Sequence, residues 1–176
     1  MTRPPIQLQA DALAGEMAEF ARKLGTGLSA LTSLGDLDAG VTDREAVYQE
    51  DKLVLYRYRG SAQHSDPAPL LIVYALVNRP YMADLQENRS MIRGLLDAGM
   101  DVYLIDWGYP DRADRFLTLD DYINGYLDRC VDEVLKIRKQ NKINLLGICQ
   151  GGTFSLCYSA THQQKIRNLI TMVTPV

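Results

Sequence analysis

Leu70 to Val77 is a run of eight apolar residues with no polar face. A strand with one side in water alternates polar and apolar side chains. An unbroken run instead fits a strand covered on both sides, as in the centre of a parallel sheet. It is also too short to span a bilayer. Three further runs repeat the signal: Asp101–Asp106, Ile143–Gly147 and Ile166–Val173. Helical patterns lie between them. Residues 84–97 predict a helix closed by Gly99. Thr118 and Asp121 resemble a capping box that opens a long helix to Gln140, with Tyr122, Ile123, Tyr126, Leu127, Cys130, Val131, Val134 and Leu135 as its apolar stripe. Gly152–Ala160 predicts another apolar-rich helix. Strand and helix thus alternate three times, which predicts a mostly parallel, right-handed doubly wound α/β sheet.

Ahead of this region, residues 1–45 form a helical segment in the reading. Leu13, Met17, Phe20, Ala21 and Leu24 recur at three- and four-residue steps with charges between them, and Gly35–Gly40 breaks the pattern. Ala46–Arg59 predicts two short strands turning at Gln49–Lys52, and Gly60–Pro69 a loop. Nineteen basic against twenty-two acidic residues give a net charge of −3, with no basic field for nucleic acid. The opening Met-Thr-Arg-Pro-Pro has no apolar signal-peptide core. Three widely spaced cysteines suit a reducing compartment better than a disulfide framework. A cytoplasmic domain is the expectation.

The chemistry concentrates at Gly147-Ile-Cys-Gln-Gly-Gly152, between a buried strand and a helix. This is the G-x-S-x-G nucleophile elbow, or lipase box, with cysteine in the serine position. The nucleophile sits on a sharp, strained turn, so residues two before and two after must be small. The helix that follows points its positive end at the sulfur, an arrangement that favours the thiolate. The backbone N–H of Gln150 is then placed to donate to an oxyanion, and a second donor, Val77 or Asn78, follows the Leu70 strand. Trp107 and Tyr109, after the Asp101 strand, are candidates for an acyl or pantetheine pocket, with plain packing as the alternative. The charged run Asp111–Arg115 reads as a solvated loop. Cys149 has its own bland alternative, a small hydrophobe in a tight turn, and Cys130 and Cys157 read as core packing. No general base emerges. His64 lies in a loop, and an intact helix would carry His162 about 18 Å from Gln150. No metal site and no cofactor are predicted.

The runs Leu145–Thr153 and Asn168–Val176, with Val77–Met82 and Leu104–Asp111, resemble the catalytic subunits, PhaC, of polyhydroxyalkanoate synthases. The resemblance covers nearly the whole chain and is nearest the two-subunit class III enzymes, partnered by PhaE, with class IV and its PhaR partner close. It implies a lipase-like α/β-hydrolase core over residues 46–176, truncated after the nucleophile helix and the following strand. It implies polymerisation of (R)-3-hydroxyacyl-CoA, typically the 3-hydroxybutyryl thioester, with CoA itself only part of the substrate. Cys149 carries over as the nucleophile that holds the acyl chain, and the polyester granule surface as the location. The catalytic Asp and His have no matching positions before Val176, so the 176 residues alone are expected to be inactive and to belong to a longer protein. A cysteine hydrolase of the dienelactone-hydrolase or thioesterase type, and a non-catalytic scaffold subunit, are the competing readings.

Overall fold

The computed structural model describes residues 10–33, 39–60 and 68–175. They divide into two units, one up to residue 37 and one from residue 38 on. The first unit is a single 24-residue helix, α1 (Ala10–Ser33). Leu13, Met17, Phe20, Leu24 and Leu28 follow its helical repeat along one side, and Lys23 pairs with Glu19 at 2.8 Å, one turn apart.

The second unit runs β1 (Arg44–Glu50), β2 (Leu53–Tyr58), β3 (Leu70–Val73), a small hairpin of β4 (Asp84–Gln86) and β5 (Arg89–Ser90), α2 (Met91–Asp97), β6 (Val102–Asp106), α3 (Asp128–Arg138), β7 (Ile143–Ile148), α4 (Gln150–Thr161) and β8 (Ile166–Met172). Six strands make one sheet in the order β1-β2-β6-β3-β7-β8. The last four in that order are parallel, and β1 and β2 are antiparallel to their neighbours. From β3 the chain crosses first to β6 on one side and then to β7 on the other. Where the winding reverses, the carboxyl ends of the strands part and leave a crevice.

Side-chain alternation covers both faces of β3. Leu71 and Val73 face α3 and α4 among Leu127, Val131, Val134, Phe154 and Tyr158. Leu70 and Ile72 face α2 through Ile92 and Leu96. The expected strands all form, but β3 ends at Val73, four residues short of Val77, and the remainder becomes the loop above the crevice.

Three expectations need correction. The helix expected over residues 84–97 starts only at Met91. Buried Asp84 accepts hydrogen bonds from the N–H and hydroxyl of Thr42 and from the Ser90 hydroxyl, which holds the segment as a hairpin. Ser90 then caps α2 by accepting from Arg93 N–H at 2.9 Å. The long helix opens at the Thr118–Asp121 capping box as expected, but Asp121–Leu127 is wound as a π-helix before α3. Residues 111–115 are not a simple solvated loop: Arg112–Phe116 forms a 3-10 turn capped by Asp111. In addition, β1 begins at Arg44, two residues ahead of the boundary expected at 45/46.

At the amino-terminal end of the sheet, the fully buried side chain of Asp101 meets Arg57 at 3.0 Å and Arg138 at 2.8 Å, joining β2, β6 and α3. A buried charge stripped of its counter-charge is strongly destabilising. Asp101→Ala, which strands two half-buried guanidinium groups, is expected to lose about 3–5 kcal/mol in chemical denaturation.

Candidate active site

β7 ends at Ile148 and α4 begins at Gln150, so the whole change of direction falls on Cys149. Its backbone stands at φ 54, ψ −127, a conformation that side-chain-bearing residues rarely adopt and that stores strain where the surroundings enforce it. Three contacts enforce it here. The Cys149 N–H donates to the Met172 carbonyl at 2.9 Å, fastening the turn to the end of β8. A Cβ on Gly151 would overlap the carbonyl of Val73, and one on Gly152 would overlap the Thr174 hydroxyl. The elbow is therefore wedged between the end of β3 and the chain that follows β8. Cys149 itself is exposed. Gln150 opens α4, so its N–H is among those without an intrahelical acceptor.

The loop after β3 lies against this turn. Trp107 Nε1 donates to the Tyr74 carbonyl at 2.9 Å, and the Leu76 N–H donates to Gln150 Oε1 at 3.2 Å. Val77 and Asn78 are exposed beyond that point. Arg79 then anchors the loop again. Its Nη1 donates to the Gly108 carbonyl at 3.0 Å, and its guanidinium lies over the Tyr109 ring. Burial, and to a smaller extent the neighbouring Cys149, raise the pKa of the Tyr74 phenol.

Beside this rim is a cavity of about 240 Å³ whose lining includes Leu53, Leu76, Trp107, Leu117, Tyr122 and Tyr126. The Trp107 ring meets Tyr122 and Phe154 edge-on, with centroids 5.7 and 6.2 Å away. Its polar margin is fixed by Lys52, which reaches Asp111 at 2.8 Å and Asp114 at 2.5 Å, raising its own pKa and lowering theirs. Tyr126 donates to Asp51 at 2.6 Å, and that bond with burial pushes its phenol up to about 12.

Cys149, Gln150, Val77, Asn78 and Trp107 thus gather at the carboxyl ends of β7, β3 and β6. Tyr109 does not join the cavity; it is 72% exposed and stacked on Arg79. His162 sits just beyond the far end of α4, stacked on Tyr158 and 3.8 Å from Asp128. His64 lies outside the described residues. Cys130 is buried, and burial raises its thiol pKa. Cys157 is exposed, against expectation, because α4 packs inward through Gly151, Phe154, Ser155 and Tyr158 and turns Cys157 outward. Sequence reasoning missed Tyr74, the Gln150 side chain and Lys52. The tyrosines of the apolar stripe were a signal for the cavity wall, but they read as ordinary core. Among the described residues no group of three His, Cys, Asp or Glu is placed to hold a metal, and no helix is long and apolar enough to cross a membrane.

Residues 68–176 match the family model for the alpha/beta hydrolase fold. The chain belongs to the α/β-hydrolase fold family. Solved hydrolases repeat the architecture: a dienelactone hydrolase from Anabaena variabilis superimposes with TM-score 0.57 at 19% identity, covering 76% of this chain and 64% of that one. A carboxylesterase from Nitrososphaera gargenis gives 0.51 at 19% identity, covering 76% and 46%. In sequence this α/β hydrolase resembles proteins named poly(3-hydroxyalkanoate) polymerase subunit PhaC. It is 63% identical to that of Allochromatium vinosum over 174 residues, 59% to that of Thiocystis violacea over 173, and 56% to that of Synechocystis sp. over 163. These alignments take in 98%, 98% and 92% of the chain, but 49%, 49% and 43% of the relatives, so the chain spans about half their length.

Because a Cβ at residue 151 has only backbone to push against, Gly151→Ala is expected to lose about 1–3 kcal/mol of stability in denaturant unfolding. Gly125→Ala, which meets only the flexible end of Arg129, is the control and should unfold at nearly the wild-type denaturant concentration.

Proposed function

We propose that these residues form the nucleophile-bearing part of a poly(3-hydroxyalkanoate) polymerase acting on (R)-3-hydroxyacyl-CoA, most simply the 3-hydroxybutyryl thioester. The observation that carries this reading is a cysteine at a strained strand-to-helix elbow in a chain 63% identical to a protein named as such a polymerase subunit.

In the proposed reaction the Cys149 thiolate attacks the thioester carbonyl, and negative charge develops on its oxygen. The N–H of Gln150, with that of Val77 or Asn78, donates to this oxyanion. The tetrahedral intermediate collapses with loss of CoA thiolate, exchanging one thioester for another. A 3-hydroxyl of another acyl unit then attacks the Cys149 thioester, an ester bond forms, the sulfur leaves as thiolate and the hydroxyl proton passes to a base. His162, held by Tyr158 and Asp128 beyond the far end of α4, is not that base. We assign the role to the Asp and His that the polymerase resemblance implies beyond these 176 residues. Exclusion of water matters, because hydrolysis of the acyl-cysteine ends the chain. The cavity beside Trp107, small and mostly apolar, suits the short acyl group of the monomer. A second synthase subunit of the PhaE or PhaR kind, and a cytoplasmic place at the polyester granule, complete the proposal.

Three measurements on the complete protein test it. With (R)-3-hydroxybutyryl-CoA, polymer should form together with CoA; free hydroxy acid as the sole acyl product would mark a hydrolase instead. Cys149→Ala should abolish acyl transfer while Cys130→Ala and Cys157→Ala retain most of it, and equal loss in all three would remove Cys149 from its role. Narrowing the cavity by Leu117→Trp is expected to raise KM roughly tenfold, close to 1.4 kcal/mol of binding, with kcat little changed.

A further inference from the structure

The segment leaving β3 is fixed residue by residue. The Val73 carbonyl is pressed by Gly151, the Tyr74 carbonyl accepts from the Trp107 indole, and the Leu76 N–H is held by Gln150 Oε1. Past Leu76 the chain runs free over Val77 and Asn78 until Arg79, which bonds Gly108. The two candidate oxyanion donors are thus suspended between a Gln150 anchor and an Arg79 anchor. The Asn78 side chain accepts from the Arg79 N–H at 2.9 Å, so that amide is already engaged. Among the described residues the N–H groups of Val77 and Asn78 form no hydrogen bond within the protein. Gln150 stands next to the nucleophile, and its side chain makes the last bond before the free pair.

We infer that Gln150 is a positioning residue for the oxyanion loop: its side-chain carbonyl holds the Leu76 N–H, and through it sets the direction of the Val77 and Asn78 N–H groups. One residue would then serve both halves of the oxyanion site, with its backbone N–H as one donor and its side chain fixing the loop that carries the other. The inference rests on the reading of Cys149 as nucleophile. Its chemical consequence is specific. Losing the Gln150 carbonyl should weaken stabilisation of the tetrahedral intermediate and leave the reactivity of the thiolate alone, because it frees the Leu76 N–H while the Cys149 turn keeps its own bond to the Met172 carbonyl.

Alkylation separates the two effects. Iodoacetamide attacks the thiolate without forming an oxyanion, whereas acylation by (R)-3-hydroxybutyryl-CoA forms one. In the complete protein, Gln150→Met keeps the side chain's length and removes the acceptor. It should lower kcat by about ten- to a hundredfold, up to what deletion of a whole oxyanion donor costs, with KM and the rate of Cys149 alkylation within about twofold of wild type. Gln150→Glu restores an acceptor of the same length and should recover at least part of the lost kcat. Unchanged kcat in Gln150→Met overturns the inference. So does a fall in alkylation that matches the fall in kcat, because the side chain would then be supporting the elbow and not the loop. Failure of Gln150→Glu to turn over any faster than Gln150→Met overturns it too. Cys149→Ala distinguishes this from failure of the underlying reading: turnover that persists in that variant removes the nucleophile assignment, and the inference with it.

Discussion

The turn from β7 into α4 exists because the chain can pass itself there without side chains in the way. Gly147 packs against the Gly152 backbone, Gly151 against the Val73 carbonyl, and Gly152 against Thr174, so an added Cβ at any of the three would collide. This close approach forces Cys149 into its positive-φ conformation and brings β3, β7 and the end of β8 to one point. The rest of the site follows. The loop after β3 has to leave beside the elbow, against Gly151 and Gln150, and α4 starts at the same point with its first N–H groups free.

Polar clamps keep the surroundings of that point in place. Lys52, from the turn between β1 and β2, holds the 3-10 turn through Asp111 and Asp114, tying the edge of the sheet to the margin of the cavity. Arg79 ties the loop after β3 to the loop after β6. Below the far end of α4, Asp128 accepts from Tyr158 at 2.6 Å and from Lys165 at 2.7 Å. Burial works against that carboxylate, yet these bonds hold its pKa below the ordinary value. These contacts join segments distant in sequence, as expected of a rim built from loops that a rigid sheet must aim.

What the sequence made legible is what its local pattern encodes. The unbroken apolar runs marked the parallel strands, the Thr118–Asp121 pair marked a helix start, and three glycines around a thiol between strand and helix marked the elbow. Features that depend on distant partners escaped. The helix expected from Asp84 failed because Thr42, forty-two residues away, binds its carboxylate. Residues 111–115 read as solvated because nothing in that segment announces Lys52. Cys157 was misplaced because small hydroxyl and apolar side chains are mixed all round α4, so periodicity did not say which side faced inward. Gln150 was recognised for its backbone alone; its side chain acquires a partner only when the loop after β3 folds over it.

The most direct test of the account is to trap the acyl group. The complete protein is mixed with (R)-3-hydroxybutyryl-CoA and quenched in acid within the first turnover. Its peptides are then mapped by mass spectrometry with and without hydroxylamine, which cleaves thioesters. A hydroxylamine-sensitive hydroxybutyryl mass on the peptide containing Cys149, and on neither of the peptides containing Cys130 or Cys157, is the predicted result. Release of CoA with the acyl group on another residue, or with no acyl-protein at all during steady turnover, would contradict it.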